Sequence, residues 1–218
     1  EYLTTGAAGY FNYWDNIPHY YSYNTGGWHF ISLDLTESYN QVAPTTAQYQ
    51  LLANDLRSNT LPCVAAYFHH PRYSIGPQGD TAREAQVWSL LAQYGVDVVL
   101  TGHDHSYQRW VPLDGSGNPA AQGITEFAVG TGGYGTQGFV RTDTRVAATS
   151  TEYGAWYGDL YADRLEYRYV NLANQVLDEG VDVFEAKVAI VVGGMASTRQ
   201  AKQRLGRILR RSGGQRAT

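Results

Sequence analysis

The 218-residue chain has one cysteine, one methionine, seven prolines and no lysine before position 187. A single thiol cannot form an intrachain disulfide or a zinc ribbon, and Cys63, inside the apolar run LPCVAAYF, reads as a buried core residue. No run approaches the ~18 apolar residues that a membrane span requires. The opening, EYLTTGAAGYFNYW, has neither an initiator Met nor the basic region that begins a signal peptide, and it reads as a mature or cut chain.

Positive charge is scarce over most of the length. Eight arginines face eighteen acids in residues 1–181, a net −10, whereas residues 182–218 hold eight Lys or Arg against two acids, a net +6. The body is therefore acidic and lysine-free, and it contains all eighteen tyrosines. Such a surface repels phosphate backbones, which argues against nucleic-acid binding, and it suits a secreted or extracellular protein.

The patterning of the first half alternates. YYSYNTGGWHFISLDLT predicts a hairpin about the turn NTGG. APTTAQYQLLANDLRSN predicts a helix capped by Thr45 or Thr46, with Tyr49, Leu52 and Leu56 on one face. The short run PCVAAYF predicts a strand. TAREAQVWSLLAQYG predicts a second helix, with Val87, Leu90, Leu91 and Tyr94 as its stripe and Gly95 as its stop. VDVVLTG predicts a further buried strand. This order is the mark of an α/β layered sheet. Beyond position 106 come short aromatic runs: SYQRWVPL, ITEFAVGTGG, YGAWYGDLYA, DRLEYRYVN and NQVLDEG. They predict a second, antiparallel sheet, with the glycine-rich GTGGYGTQG, residues 130–138, as a turn between its strands.

Four of the six histidines fall in two places of the same kind. His69 and His70 follow the strand CVAAYF, and His103 and His105 follow VDVVLT. Open α/β sheets bind ligands beyond the carboxyl ends of their strands. Neutral imidazoles there suit zinc, iron, manganese or nickel. On an extended segment, residues two apart share a face, so His103 and His105 could serve one metal or two metals about 3.5–4 Å apart. Gly102 leaves room for the backbone to turn, and Asp104, facing the other way, could orient an imidazole. One such histidine would be an ordinary loop residue; two pairs at adjacent strand ends favour a site. His19 and His29 read as structural. Arg72, Tyr73 and Tyr107 lie beside the pairs and could shape the pocket, Arg72 through a bidentate phosphate contact or in a surface ion pair.

YFHHPRYS and TGHDHSYQRW resemble the last two metal-binding blocks of the calcineurin-like metallophosphoesterases, in the purple acid phosphatase-like branch, and the resemblance runs from residue 1 to about 180. It implies a partial four-layer α/β/β/α sandwich whose N-terminal strands and helices are missing. It implies His69 and His103 on one metal and His105 on the other, with His70, Arg72, Tyr73 and Tyr107 lining the substrate pocket. The cofactor would be two divalent or mixed-valence ions, Fe, Zn or Mn. The substrate would be a small phosphate ester, attacked by a metal-activated hydroxide. The family's earlier blocks, Asp-x-His, Gly-Asp-x-x-Tyr or Asp, and Gly-Asn-His-Glu, do not occur here; Glu1 corresponds to the last residue of the third, so the acid–base histidine would precede it. Two readings follow: a portion of a phosphomonoesterase or phosphodiesterase catalytic domain, or a non-catalytic metal-binding fragment or pseudoenzyme.

Residues 182–218 lack the pattern of the body. They contain one Phe, no Tyr and no Trp, and a basic amphipathic stretch of about nine residues around Leu205, Ile208 and Leu209, too short to hold a helix alone in water. This segment reads as a poorly packed or foreign tail. Truncation after Gly180 should leave folding and metal binding of the remaining body unchanged; a melting temperature lowered by more than about 5 °C would make the tail part of the fold.

Overall fold

A computed structural model describes residues 5–37, 39–171 and 176–180. A short helix α1 (Ala8–Tyr13) precedes the hairpin of β1 (Tyr21–Thr25) and β2 (Trp28–Ser32). Helix α2 (Ala47–Ser58) leads to β3 (Cys63–Tyr67), and α3 (Ala85–Gln93) to β4 (Val98–Thr101). Six strands follow: β5 (Tyr107–Trp110), β6 (Thr125–Val129), β7 (Val146–Ser150), β8 (Gly154–Leu160), β9 (Leu165–Asn171) and β10 (Val176–Gly180).

The hairpin turns at Gly26 and Gly27, whose φ values of 58° and 82° are the left-handed pair that a tight two-residue turn needs. Thr46 occupies the N-cap of α2 in extended conformation, but its hydroxyl donates to Ala43 O instead of accepting from the helix. Leu52 and Leu56 are buried on the expected face, joined by Gln48, whose amide bridges Asp34 O and Gln41 O. In α3, Val87, Leu90 and Leu91 are buried as the periodicity predicts, together with Trp88.

Seven strands form one sheet in the order β1-β2-β3-β4-β6-β5-β7, and β10-β9-β8 form a second. β2, β3, β4 and β6 run parallel; the other pairings are antiparallel. The aromatic runs beyond position 106 were expected to lie together in the second sheet. Instead β5 and β6 extend the first, because β6 takes the open edge of β4 and β5 folds back on β6. Accordingly, the glycine-rich segment 130–138 links strands of the first sheet.

Alternation along the central strands feeds two cores. Ile31, Val64, Ala66 and Val99 face the helices and pack with Leu52, Leu56, Val87 and Trp88. Trp28, Phe30, Ala65, Leu100, Tyr107 and Phe127 face the second sheet and pack with Trp156 and Tyr169. The described residues thus make three layers, α/β/β; the outer helical layer of the expected four is not among them. Cys63 is a buried free thiol, as its setting implied. Among the described residues, no helix is long and apolar enough to cross a membrane.

The two sheets are joined by aromatic contacts. Tyr107 stacks on Tyr169 at 4.1 Å, and Phe127 meets Trp156 and Tyr167 at 5.2 and 4.9 Å. Phe127→Ala should therefore cost about 3–5 kcal/mol, measured by denaturant unfolding; a loss below about 1 kcal/mol would show that the sheets do not depend on this contact.

Candidate metal centre

The site stands at the carboxyl ends of β3 and β4. These strands pair in parallel register, Tyr67 opposite Leu100, and the ladder continues past both of them: Phe68 N donates to Leu100 O at 3.1 Å and Gly102 N to His69 O at 2.9 Å. The pairing places His69 beside His103, with His103 Nδ1 3.2 Å from His69 Nε2. The His70 ring lies 4.2 Å from that of His103 and 5.0 Å from that of His69. One nitrogen from each of the three lies within 4.8 Å of the others, close enough to share one cation.

Burial and mutual repulsion keep these rings neutral. His69 is pushed down to about 4, by burial first and then by the His103 and His105 imidazoles. His70 is pushed down to about 3 by burial, by His103 and His69, and by Arg83, whose Nη2 lies 3.4 Å from His70 Nδ1. His103 is lowered for the same leading reason. Neutral imidazole is the form that binds a metal. Clustered neutral nitrogens with lone pairs fit a transition-metal ion.

His105 is outside the group of three converging nitrogens, though its imidazole acts on both His69 and His103. The expectation of a common face assumed extended backbone, but His103 has φ 58°, in the left-handed region. That residue, rather than Gly102, takes the left-handed conformation at the turn. His105 Nδ1 lies 3.0 Å from Gly135 O, which fixes the proton on Nδ1 and leaves the lone pair on Nε2. Its backbone also pairs with Gln137, and Tyr134 presents its ring at 5.1 Å. The glycine-rich segment is therefore a wall of the site. No sequence signal marked it, because its role comes from contact with His105 and not from a motif.

The remaining candidates stand differently. The Tyr73 ring is 5% exposed and packs in the helix-side core, with the Arg72 guanidinium 4.4 Å above it; Tyr107 is 1% exposed and belongs to the inter-sheet core. The structure does not bring either phenol to the histidine cluster's surface. Arg72 is held by its backbone, whose N–H donates to Glu126, as does that of Tyr73. His29 is buried between Asn24 and Asp55, a structural role. His19 pairs with Asp34 at 2.6 Å and stacks on Tyr39.

Asp104 was expected to orient an imidazole. Instead its carboxylate accepts from Ser74 Oγ and from Gln78 N, so it holds the loop beyond His70. Two further buried carboxyls lie behind that loop: Glu126, pushed up to about 8, and Glu84, pushed up to about 9, both chiefly by burial. Neither was a sequence candidate, since lone glutamates carry no motif.

Residues 3–107 match the calcineurin-like phosphoesterase family. Purple acid phosphatase 15 of Arabidopsis thaliana is 36% identical over 97 residues, which are 41% of this chain and 18% of that protein. The structure of purple acid phosphatase PPD1 from yellow lupin (Lupinus luteus) seeds superposes with a TM-score of 0.63 at 19% identity, over 73% of this chain and 31% of that one, and shows the same fold. With the histidine blocks on the ends of β3 and β4, these likenesses make residues 3–107 similar to the calcineurin-like metallophosphoesterases. The relatives it matches support the purple acid phosphatase-like branch, and the chain spans about a fifth of their length. A separate likeness, 59% identity over 46 residues, joins 21% of this chain to 10% of the DNA 3′-5′ translocase XPB2 of Sulfurisphaera tokodaii.

The raised carboxyls give a pH test. A carboxyl whose pKa is higher folded than unfolded binds its proton more tightly in the folded state, so its contribution is full at low pH and is lost as pH rises. From about pH 5 to about pH 9 the melting temperature should fall, and Glu84→Gln should flatten that fall. A variant profile parallel to wild type would mean that Glu84 is ionised.

Proposed function

We propose that this chain is part of a metal-dependent phosphoester hydrolase, carrying histidine ligands of its metal centre. The observation that carries the reading is the convergence of His69 and His103 from adjacent parallel strand ends, at 3.2 Å. His69 and His103 would hold one ion, and His105, through Nε2, a second. When bound, such ions polarise phosphoryl oxygens and acidify a nucleophilic water. The protein's part is to keep the imidazoles neutral and fixed. Gly135 O sets the His105 tautomer. Arg83 keeps His70 Nδ1 unprotonated, and His70 lines the cavity beside the ligands. The substrate would be a small phosphate ester, and Fe, Zn and Mn are the candidate metals.

The acidic, lysine-free body fits an extracellular enzyme. The basic segment 182–218 has the opposite charge and almost no aromatic residues. We treat this segment as a tail apart from the phosphoesterase body.

A second reading, a metal-binding domain without turnover, is favoured by the make-up of the converging group, three histidines and no carboxylate. A Zn²⁺ or Mn²⁺ titration, combined with hydrolysis of an aryl phosphate, separates the two. The enzyme reading expects metal uptake and hydrolysis, both reduced at least about 100-fold by His103→Ala and little changed by His19→Ala. Uptake without hydrolysis, even when the chain is joined to the upstream sequence of its parent, supports the second reading. No uptake at all overturns both.

A further inference from the structure

The loop that follows His69 and His70 has no helix or strand over residues 70–80. A segment of this kind keeps its position only through its hydrogen bonds. Several of them go to side chains of the first sheet and of the His-x-His turn. Ile75 N donates to Gln108 Oε1 at 3.0 Å, and Gln78 N donates to Asp104 Oδ1 at 3.0 Å. Ser74 Oγ donates to Asp104 Oδ2 and accepts from Gly76 N and Gln108 Nε2 at 3.0 and 2.9 Å. Gln108 Nε2 also reaches Ser106 Oγ at 3.1 Å. Ser74, Asp104, Ser106 and Gln108 are all 0% exposed, so each of these bonds is made away from water, where a lost partner is costly.

We propose that Asp104 is the positioning residue of the histidine centre: its buried carboxylate locks the turn bearing His103 and His105 to the loop that leaves His69 and His70. This rests on the reading of those histidines as metal ligands. Three observations converge on the residue. Asp104 lies between the two histidines of its turn, directly after His103, whose left-handed backbone a surrounding structure must hold. Both of its oxygens accept from the opposite loop. The space around it is closed: a Cβ on Gly76 would stand 2.5 Å from Asp104 Cγ, and a Cβ on Gly130 would stand 1.8 Å from Asp104 O. Chain from both sides meets this carboxylate and its backbone, and the two ligand-bearing segments cannot shift independently while it is in place. An aspartate suits the place because it accepts on both oxygens, where asparagine offers only one.

The test uses the full chain and two readouts: Co²⁺ titration followed by visible absorption, and ring-nitrogen NMR signals of the histidines without metal. Asp104→Ala should weaken Co²⁺ binding roughly 10–100-fold, and it should broaden or double the His69 and His103 signals. Asp104→Asn, which keeps one acceptor, should recover much of both. Leu56→Ala, a core truncation away from the loop, should lower the melting temperature yet leave Co²⁺ affinity and ring signals unchanged. If Asp104→Ala does not fold, Ser74→Ala replaces it, with a loss of roughly 3–10-fold expected from removing one of the two donors. Wild-type affinity and ring signals in Asp104→Ala, or an equal loss of affinity in Leu56→Ala, would overturn the proposal. If the wild-type chain takes up no Co²⁺, the ligand reading fails, and the ring signals alone decide whether Asp104 fixes the histidines.

Discussion

The parallel pairing of β3 with β4 is the constraint on which the rest of the site depends. Two strands in register, about 4.8 Å apart, carry whatever follows them to neighbouring points. The ladder runs on past the strands through Gly102 N and His69 O, so His69 and His103 meet without a dedicated contact to draw them together. Parallel pairing requires a crossover, and α3 supplies it. The apolar stripe of α3, with Trp88 at its centre, holds that crossover against the sheet.

Around this frame the protein concentrates polar groups where water is excluded. Glu126 and Asp104 replace backbone partners for a loop that has no ladder of its own. Glu84 is 1% exposed and neither carboxyl oxygen has a hydrogen-bond partner, and burial keeps it protonated. The histidines meet the same low dielectric with the opposite result: they lose their proton, and so gain the lone pair a metal needs. One environment thus prepares neutral acids behind the loop and neutral bases in front of it.

The elements of the first half were legible in the sequence because their periods are strong. Leu52 and Leu56 repeat at four, and Trp28 and Phe30 at two. The histidine pairs were legible as well, since each follows a buried apolar strand. The sheet to which β5 and β6 belong was not. A short aromatic run such as SYQRWVPL fits either sheet, and its alternation names a buried face but no partner. The roles of Tyr73 and Tyr107 were obscured for a related reason: nearness in sequence to a ligand does not say which side of the backbone a ring takes, and both rings turn into a core.

What the sequence determined by itself was local: where the strands and helices of the first half fall, and that four histidines stand at two strand ends. These follow from residue spacing and need no distant contact. The tertiary structure alone decided the left-handed turn at His103, the approach of the glycine-rich segment to His105 and the task of Asp104. Each depends on groups some 30 residues away in the chain, brought close by sheet order, and a backbone dihedral or a buried carboxylate takes its state from those neighbours rather than from its own side-chain type.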